Sequence, residues 1–146
     1  MSIFANIVSL YKSQDLNKQK LQIKTSKLID ESTYTPSDKP LMVHIWATWC
    51  PVCKAEADNI QRLSEYYEVI TIAVNSGTNS EIKNYLSEHD LTYKVINDKD
   101  GTIAQTFNIA VYPTTFIYDN KRNLVFSEVG YTSSFGLLIR MWWASI

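Results

Sequence analysis

The stretch Trp46-Ala47-Thr48-Trp49-Cys50-Pro51-Val52-Cys53 decides the fold. Before it stands Leu41–Trp46 (LMVHIW), a short, almost continuous apolar run of the kind that forms a strand buried on both faces of a sheet. After it, residues 51–67 put Ile60, Leu63 and Tyr67 on one helical face. The two cysteines therefore lie where a strand turns into a helix. Cys50 falls at the N-cap or just before it, and Pro51 fits the first helical position, where its missing N–H costs nothing. Unpaired N–H groups at that helix end point toward the Cys50 sulfur, and the helix dipole favours negative charge there. Both effects stabilise thiolate, the species that attacks disulfides. Cys53 is one helical turn further on, so its sulfur can reach Cys50.

This spacing suits a two-step exchange. Cys50 attacks a disulfide and forms a mixed disulfide; Cys53 then attacks Cys50 and releases the reduced client. Run backwards, the pair oxidises a dithiol. Cys50 is expected to be exposed and Cys53 shielded, because the helix turns Cys53 toward the core. A zinc site would need four ligands, and beyond the two cysteines only His44 and His89 remain, in no paired motif. No metal and no other cofactor is expected. A peroxidatic cysteine usually has Thr three residues before it; here Ala47 stands before Cys50, and Cys50 before Cys53.

Outward from the cysteines, residues 69–74 (VITIAV) read as a second buried strand. Thr78 and Glu81 can form a capping box opening a helix that carries Ile82, Tyr85 and Leu86. Residues 93–96 read as a short strand, residues 98–101 (DKDG) as a turn and residues 102–107 as a short helix. Residues 114–119 and Leu124–Val129 read as a hairpin joined by residues 120–123. Thr132, Ser133 or Ser134 can cap a last helix running to about Trp143. Toward the amino terminus, residues 21–30 alternate at Leu21, Ile23 and Thr25, with a turn at Ser26, which predicts a small hairpin. Residues 32–40 read as a loop. Alternating strands and helices predict an α/β fold with helices on both faces of a sheet, and the closing hairpin makes that sheet mixed.

The chain has 146 residues, 45% hydrophobic and 20% charged, the size and composition of one globular domain. Fifteen acids against fourteen bases give a net charge of −1, unlike the basic footprint of a nucleic-acid binder. Residues 3–11 (IFANIVSLY) are apolar but too few to span a bilayer. They read either as a short amphipathic helix or as the end of a truncated membrane anchor. Residues 12–20 then read as a tether, and residues 21–146 as the folded domain.

His44 precedes Cys50 on the buried strand, whose alternation puts Met42, His44 and Trp46 on one face. It reads either as a core imidazole or as a proton acceptor for Cys53, because histidine titrates near neutral pH. Glu56 reads as that acceptor, as a charge tuning the thiols, or as a solvated carboxylate. Trp49 either shields Cys50 and offers a flat surface to a client, or simply packs. Trp46 reads as core and His89 as surface. The apolar close of the chain, with Leu137, Leu138, Ile139, Met141, Trp142 and Trp143, reads as a helix packed on the sheet; the alternative is a patch touching a partner or membrane.

These residues resemble the thioredoxin superfamily, and most closely its TlpA/ResA branch, which includes the cytochrome c maturation thioredoxins and ScsD-like proteins. The resemblance runs from about Leu21 to Trp143. It rests on Asp38-Lys39-Pro40 ahead of the strand, on Trp-Ala-Thr-Trp-Cys-Pro-x-Cys, on Glu56 three after Cys53, and on residues 111–116 (VYPTTF), which resemble the loop carrying the superfamily's cis-proline. Residues 78–96 match the helix and strand that this branch inserts. His44 stands where thioredoxin has Asp, Thr114 where the cytochrome maturation proteins have Glu, and Asp58 where the branch often has Pro. The Pro-Val pair between the cysteines is most similar to ScsD-like members.

The resemblance implies a thioredoxin fold with an N-terminal hairpin and an inserted helix-strand unit. It implies a protein-disulfide oxidoreductase working on Cys50 and Cys53, mainly as a reductant, with Trp49, Pro51, Tyr112 and a cis Pro113 forming the client groove. It implies an extracytoplasmic, membrane-anchored bacterial protein, monomeric, with cysteine-containing clients and a membrane reductase of the DsbD type supplying electrons. A client-binding module without turnover, and an oxidase or isomerase of the same fold, are the alternatives.

Overall fold

The computed structural model describes residues 25–146. The tether or anchor read at residues 1–20, and the alternation at Leu21 and Ile23, lie outside the described residues.

A short antiparallel hairpin comes first, β1 (Ser26–Lys27) against β2 (Thr33–Tyr34). It corrects the expected position: Ser26 is in the strand, and the turn falls at residues 28–32. The reason is local chemistry. The Asp30 carboxylate accepts from the Ser32 N–H and hydroxyl, and Glu31 takes a left-handed φ of 73°. Thr33 and Tyr34, expected in a loop, pair because Tyr34 buries its ring and donates its hydroxyl to Glu68.

The remaining strands form one five-stranded sheet in the order β5-β4-β3-β6-β7: β3 (Leu41–Trp46), β4 (Glu68–Val74), β5 (Lys94–Asp98), β6 (Thr114–Tyr118) and β7 (Leu124–Val129). β3 runs parallel to β4, and β4 to β5, whereas β6 is antiparallel to both β3 and β7. The mixed sheet is as expected. All six residues of β3 are buried, which explains its almost continuous apolar run: as the central strand it is covered on both faces.

Among the described residues, four helices cover the sheet. α1 (Pro51–Ser64) connects β3 to β4, α2 (Asn79–Glu88) connects β4 to β5, α3 (Thr102–Thr106) follows β5, and α4 (Ser134–Ser145) closes the chain. Ala57 and Ile60 of α1, Ile82 of α2 and Leu137 and Met141 of α4 share one apolar layer with Met42 and Trp46. Val43, Ile45, Ile70, Ile72 and Phe116 form the other layer, against Ala104 of α3 and Phe107. α1 ends three residues before the expected Tyr67, since Glu65 and Tyr66 already bond in a tighter turn to Arg62 and Leu63. The capping box is present: Thr78 accepts from the Glu81 N–H at 3.2 Å, and Glu81 reaches back to the Thr78 N–H. That carboxylate also explains Gly77, where a Cβ would lie 2.7 Å from Glu81 Oε2 and φ is +94°. Ser133 caps α4 by accepting from the Gly136 N–H.

Candidate active site

Cys50 is the N-cap of α1, with extended φ −98° and ψ 114°, and Pro51 follows inside the first turn. Its Sγ accepts from the Cys53 N–H at 3.2 Å, one of the N–H groups that a helix start leaves unpaired. Cys53 faces inward and is 2% exposed. Burial, then the hydrogen bond with Cys50, hold its thiol far above the ordinary range, and the charges of Cys50 and Glu56 add to that. Both cysteines are free.

Cys50 is more covered than expected, at 5% exposure. The cover comes from a distant loop. The Cys50 thiol reaches the Tyr112 carbonyl at 3.7 Å, across 62 positions of sequence. The Trp49 and Tyr112 rings meet edge to face at 5.5 Å between centroids. Trp49 is in turn pinned by its indole N–H, which donates to the Asn75 carbonyl at 3.1 Å. Asn75 sits just past β4 with φ 48°, and beside it Ser76 Oγ accepts from the Thr48 N–H at 3.0 Å. Asn75 and Ser76 were not read as site residues from the sequence; the turn-forming Asn75-Ser76-Gly77 run at the strand end was the available signal. Trp49, Pro51, Val52 and Val111 remain exposed around the thiol, so the lip of the site is apolar. The Tyr112–Pro113 peptide bond is cis, and the buried Pro113 accepts from the Gly130 N–H at 2.8 Å through its carbonyl.

Glu56 is fully buried. Its Oε1 accepts from the Thr132 N–H at 3.0 Å, and its Oε2 has no partner among the described residues. Burial pushes the carboxyl up to about 8; the Glu128 charge adds to this, and the Thr132 N–H opposes it. Of the readings offered for Glu56, the solvated carboxylate is excluded. Its field reaches Cys53.

His44 goes elsewhere. Its Nδ1 is 2.8 Å from Thr115 Oγ1 in the middle of the sheet, and burial lowers its pKa to about 3. It pairs laterally with Thr71 and Thr115, so the ring belongs to a polar rung of the sheet. The structure therefore gathers Cys50, Cys53, Trp49, Pro51, Tyr112, Pro113 and Glu56, and gives the His44 ring a threonine partner instead of a thiol. Among the described residues no cluster of three or more Cys, His, Asp or Glu side chains could hold a metal ion.

The profile of the AhpC/TSA family matches residues 12–127. The chain is 34% identical over 109 residues to a thioredoxin-like protein of Haemophilus influenzae, covering 73% of this chain and 64% of that one. It is 35% identical over 99 residues to the thiol-disulfide oxidoreductase ResA of Oceanobacillus iheyensis, covering 62% and 51%. The chain thus spans less than two thirds of the length of either relative. A secreted thiol-disulfide isomerase from Corynebacterium glutamicum superposes with a TM-score of 0.77 at 18% identity, covering 86% of this chain and 84% of that one. That likeness establishes the thioredoxin fold.

Proposed function

Because the chain belongs to the AhpC/TSA family and sets a buried thiol one helical turn from an N-capping one, we propose that it is a thiol–disulfide oxidoreductase acting mainly as a reductant of protein disulfides. The observation that carries this reading is the 3.2 Å contact from the Cys53 N–H to Cys50 Sγ. Cys50 stands at the helix start beside the apolar lip whereas Cys53 faces the core, so Cys50 is the nucleophile.

The chemistry then balances in two steps. Cys50 thiolate attacks one sulfur of a client disulfide; a Cys50–client S–S bond forms, the client S–S bond breaks, and the departing client thiolate takes a proton from solvent. Cys53 next gives its proton to Glu56, and its thiolate attacks Cys50. The Cys50–Cys53 bond forms and the second client thiolate leaves. Two electrons have passed to the client, and an external dithiol must reduce the protein again. The proton transfer fits Glu56, whose free Oε2 and raised proton affinity suit a base working near neutral pH.

The client side is the apolar lip. A client strand lies along the loop bearing Tyr112, where Pro113 contributes no competing N–H, and Trp49 and Val52 pack against its flanking side chains. Burial keeps the Cys53 thiol protonated until the mixed disulfide has formed. The place of action is extracytoplasmic, with an upstream anchor and a DsbD-type membrane reductase as electron source; the secreted structural neighbour supports that setting. No helix among the described residues is long and apolar enough to cross a membrane.

Insulin reduction tests the activity. Wild type turns over and Cys50→Ser does not; turnover that survives the substitution overturns the reading. Cys53→Ala accumulates mixed disulfides with clients, and failure to trap any removes the two-step order. A potential well below about −200 mV supports the reductant direction, and one near about −120 mV reverses it.

A further inference from the structure

Below α1 the sheet carries a row of polar side chains. The β-register sets Thr71, His44, Thr115 and Glu128 side by side across β4, β3, β6 and β7. At the end of this row Glu128, 9% exposed, meets Arg140 of α4, with Arg140 Nε donating to Glu128 Oε1 at 2.7 Å. Arg140 is itself held, its Nη1 donating to the Gly136 carbonyl at 2.8 Å and its guanidinium lying 6.0 Å from the Phe126 ring centroid.

The segment between Glu128 and α4 is the one that touches Glu56. Thr132 presents its N–H to Glu56 and its carbonyl to Asn59 Nδ2 at 3.3 Å, so two residues of α1 one turn apart grip the backbone of a single residue on both sides. Glu128 lies four residues ahead of that grip and Arg140 eight residues beyond it. The ion pair thus ties the end of β7 to the middle of α4 and fixes the intervening loop against Glu56.

We propose that the Glu128–Arg140 pair is a positioning element of the thiol site, which fixes through its charge balance and through the Thr132 peptide the pH at which Glu56 takes the proton of Cys53. The proposal rests on Glu56 being that proton acceptor. An unbalanced Glu128 carboxylate in so buried a place repels a negative Glu56 and keeps it protonated; the Arg140 guanidinium offsets this. The Glu128 charge indeed raises the proton affinity of Glu56. Cys53 on α1 also lies within the field of Glu56. His44 on β3 is held neutral by burial, so it contributes no opposing charge.

The test follows the carboxyl carbon of Glu56 by NMR across pH in the reduced, full-length chain, assigned with Glu56→Gln. Glu128→Gln should move the midpoint to lower pH by about half a unit or more, Arg140→Gln should move it higher by a similar amount, and the double variant should return toward wild type. Arg140→Lys should restore most of the Arg140→Gln shift. The pH profile of mixed-disulfide resolution should move with each midpoint. A structural role alone would lower stability in all variants and leave the midpoint in place, which overturns the proposal; so does a shift of the same sign in both single variants. Should Arg140→Gln fail to fold, the sign of the near-isosteric Glu128→Gln shift decides. If Glu56 titrates well above the ordinary range but Glu56→Gln leaves the exchange profile unchanged, the proton-acceptor reading fails, whatever the ion pair does.

Discussion

Two buried titratable groups lie on the same side of the sheet, Glu56 in the second turn of α1 and His44 in the middle of β3, and the same force acts oppositely on them. Burial disfavours charge in both. It lifts the Glu56 carboxyl to about 8 and drops the His44 imidazole to about 3. Both are therefore chiefly uncharged at neutral pH, yet only one can trade a proton there. Glu56 has landed close to the working pH, with one oxygen free and Cys53 within its field. His44 has landed far from it, with Nδ1 engaged to Thr115. The residue type that titrates near neutrality in water is the inert one here, and the ordinarily acidic carboxyl is the candidate base. Environment, not side-chain identity, assigns the role.

The sharpest way to break this contrast is catalytic. Glu56→Gln should slow the Cys53 attack by about 100-fold at the alkaline end of the range and erase its rise with pH, whereas His44→Gln should leave that rise in place. Stopped-flow resolution of a preformed mixed disulfide reads both; equal losses in the two variants would dissolve the distinction.

The next effect is on stability. The folded pKa of Glu56 lies above its ordinary 4.5, so its contribution is fully present below about pH 4.5 and is lost as pH rises through about 8. Between those limits wild type should lose on the order of 5 kcal/mol that Glu56→Gln does not lose. Urea unfolding of the pair at matched pH values measures the difference curve, and a flat curve contradicts the buried carboxyl.

His44 should give the mirror image. Its folded pKa lies below the ordinary 6.5, so its contribution is present above about 6.5 and is lost as pH falls toward about 3. His44→Gln should start about 1 kcal/mol less stable at neutral pH, through the altered Thr115 bond, and then lose less than wild type on acidification. A parallel acid slope in the two proteins would mean that the imidazole is not desolvated.

The smallest expected effect concerns the lip. Trp49→Ala removes an exposed ring that packs on Tyr112, and should raise the KM for an apolar client peptide by roughly threefold while leaving the titration of Glu56 unmoved. A shift in that titration would show that the lip and the buried acid are not independent.

Some of this was legible before any coordinates. The pattern LMVHIW reads as a strand covered on both faces, because apolar residues at consecutive positions point to opposite sides of a sheet. Cys50-Pro51 announced a helix start, because proline fits there and nowhere deeper in a helix. Thr78 and Glu81 announced a capping box by spacing alone. The place of the hairpin turn is not legible in the alternation of apolar residues, because the Asp30 carboxylate sets where the chain reverses.

What the amino-acid order determined by itself is therefore local: strand, cap, helix, and two sulfurs one turn apart. Tertiary structure alone decided how covered Cys50 is, since Tyr112 arrives from 62 positions away. It alone decided the proton affinity of Glu56, which depends on Thr132 and Glu128, more than 70 residues distant along the chain. The physical reason is range. Caps and helical turns are satisfied by neighbours a few residues apart, whereas desolvation and charge respond to whatever the fold brings within a few ångströms, and sequence spacing does not encode that.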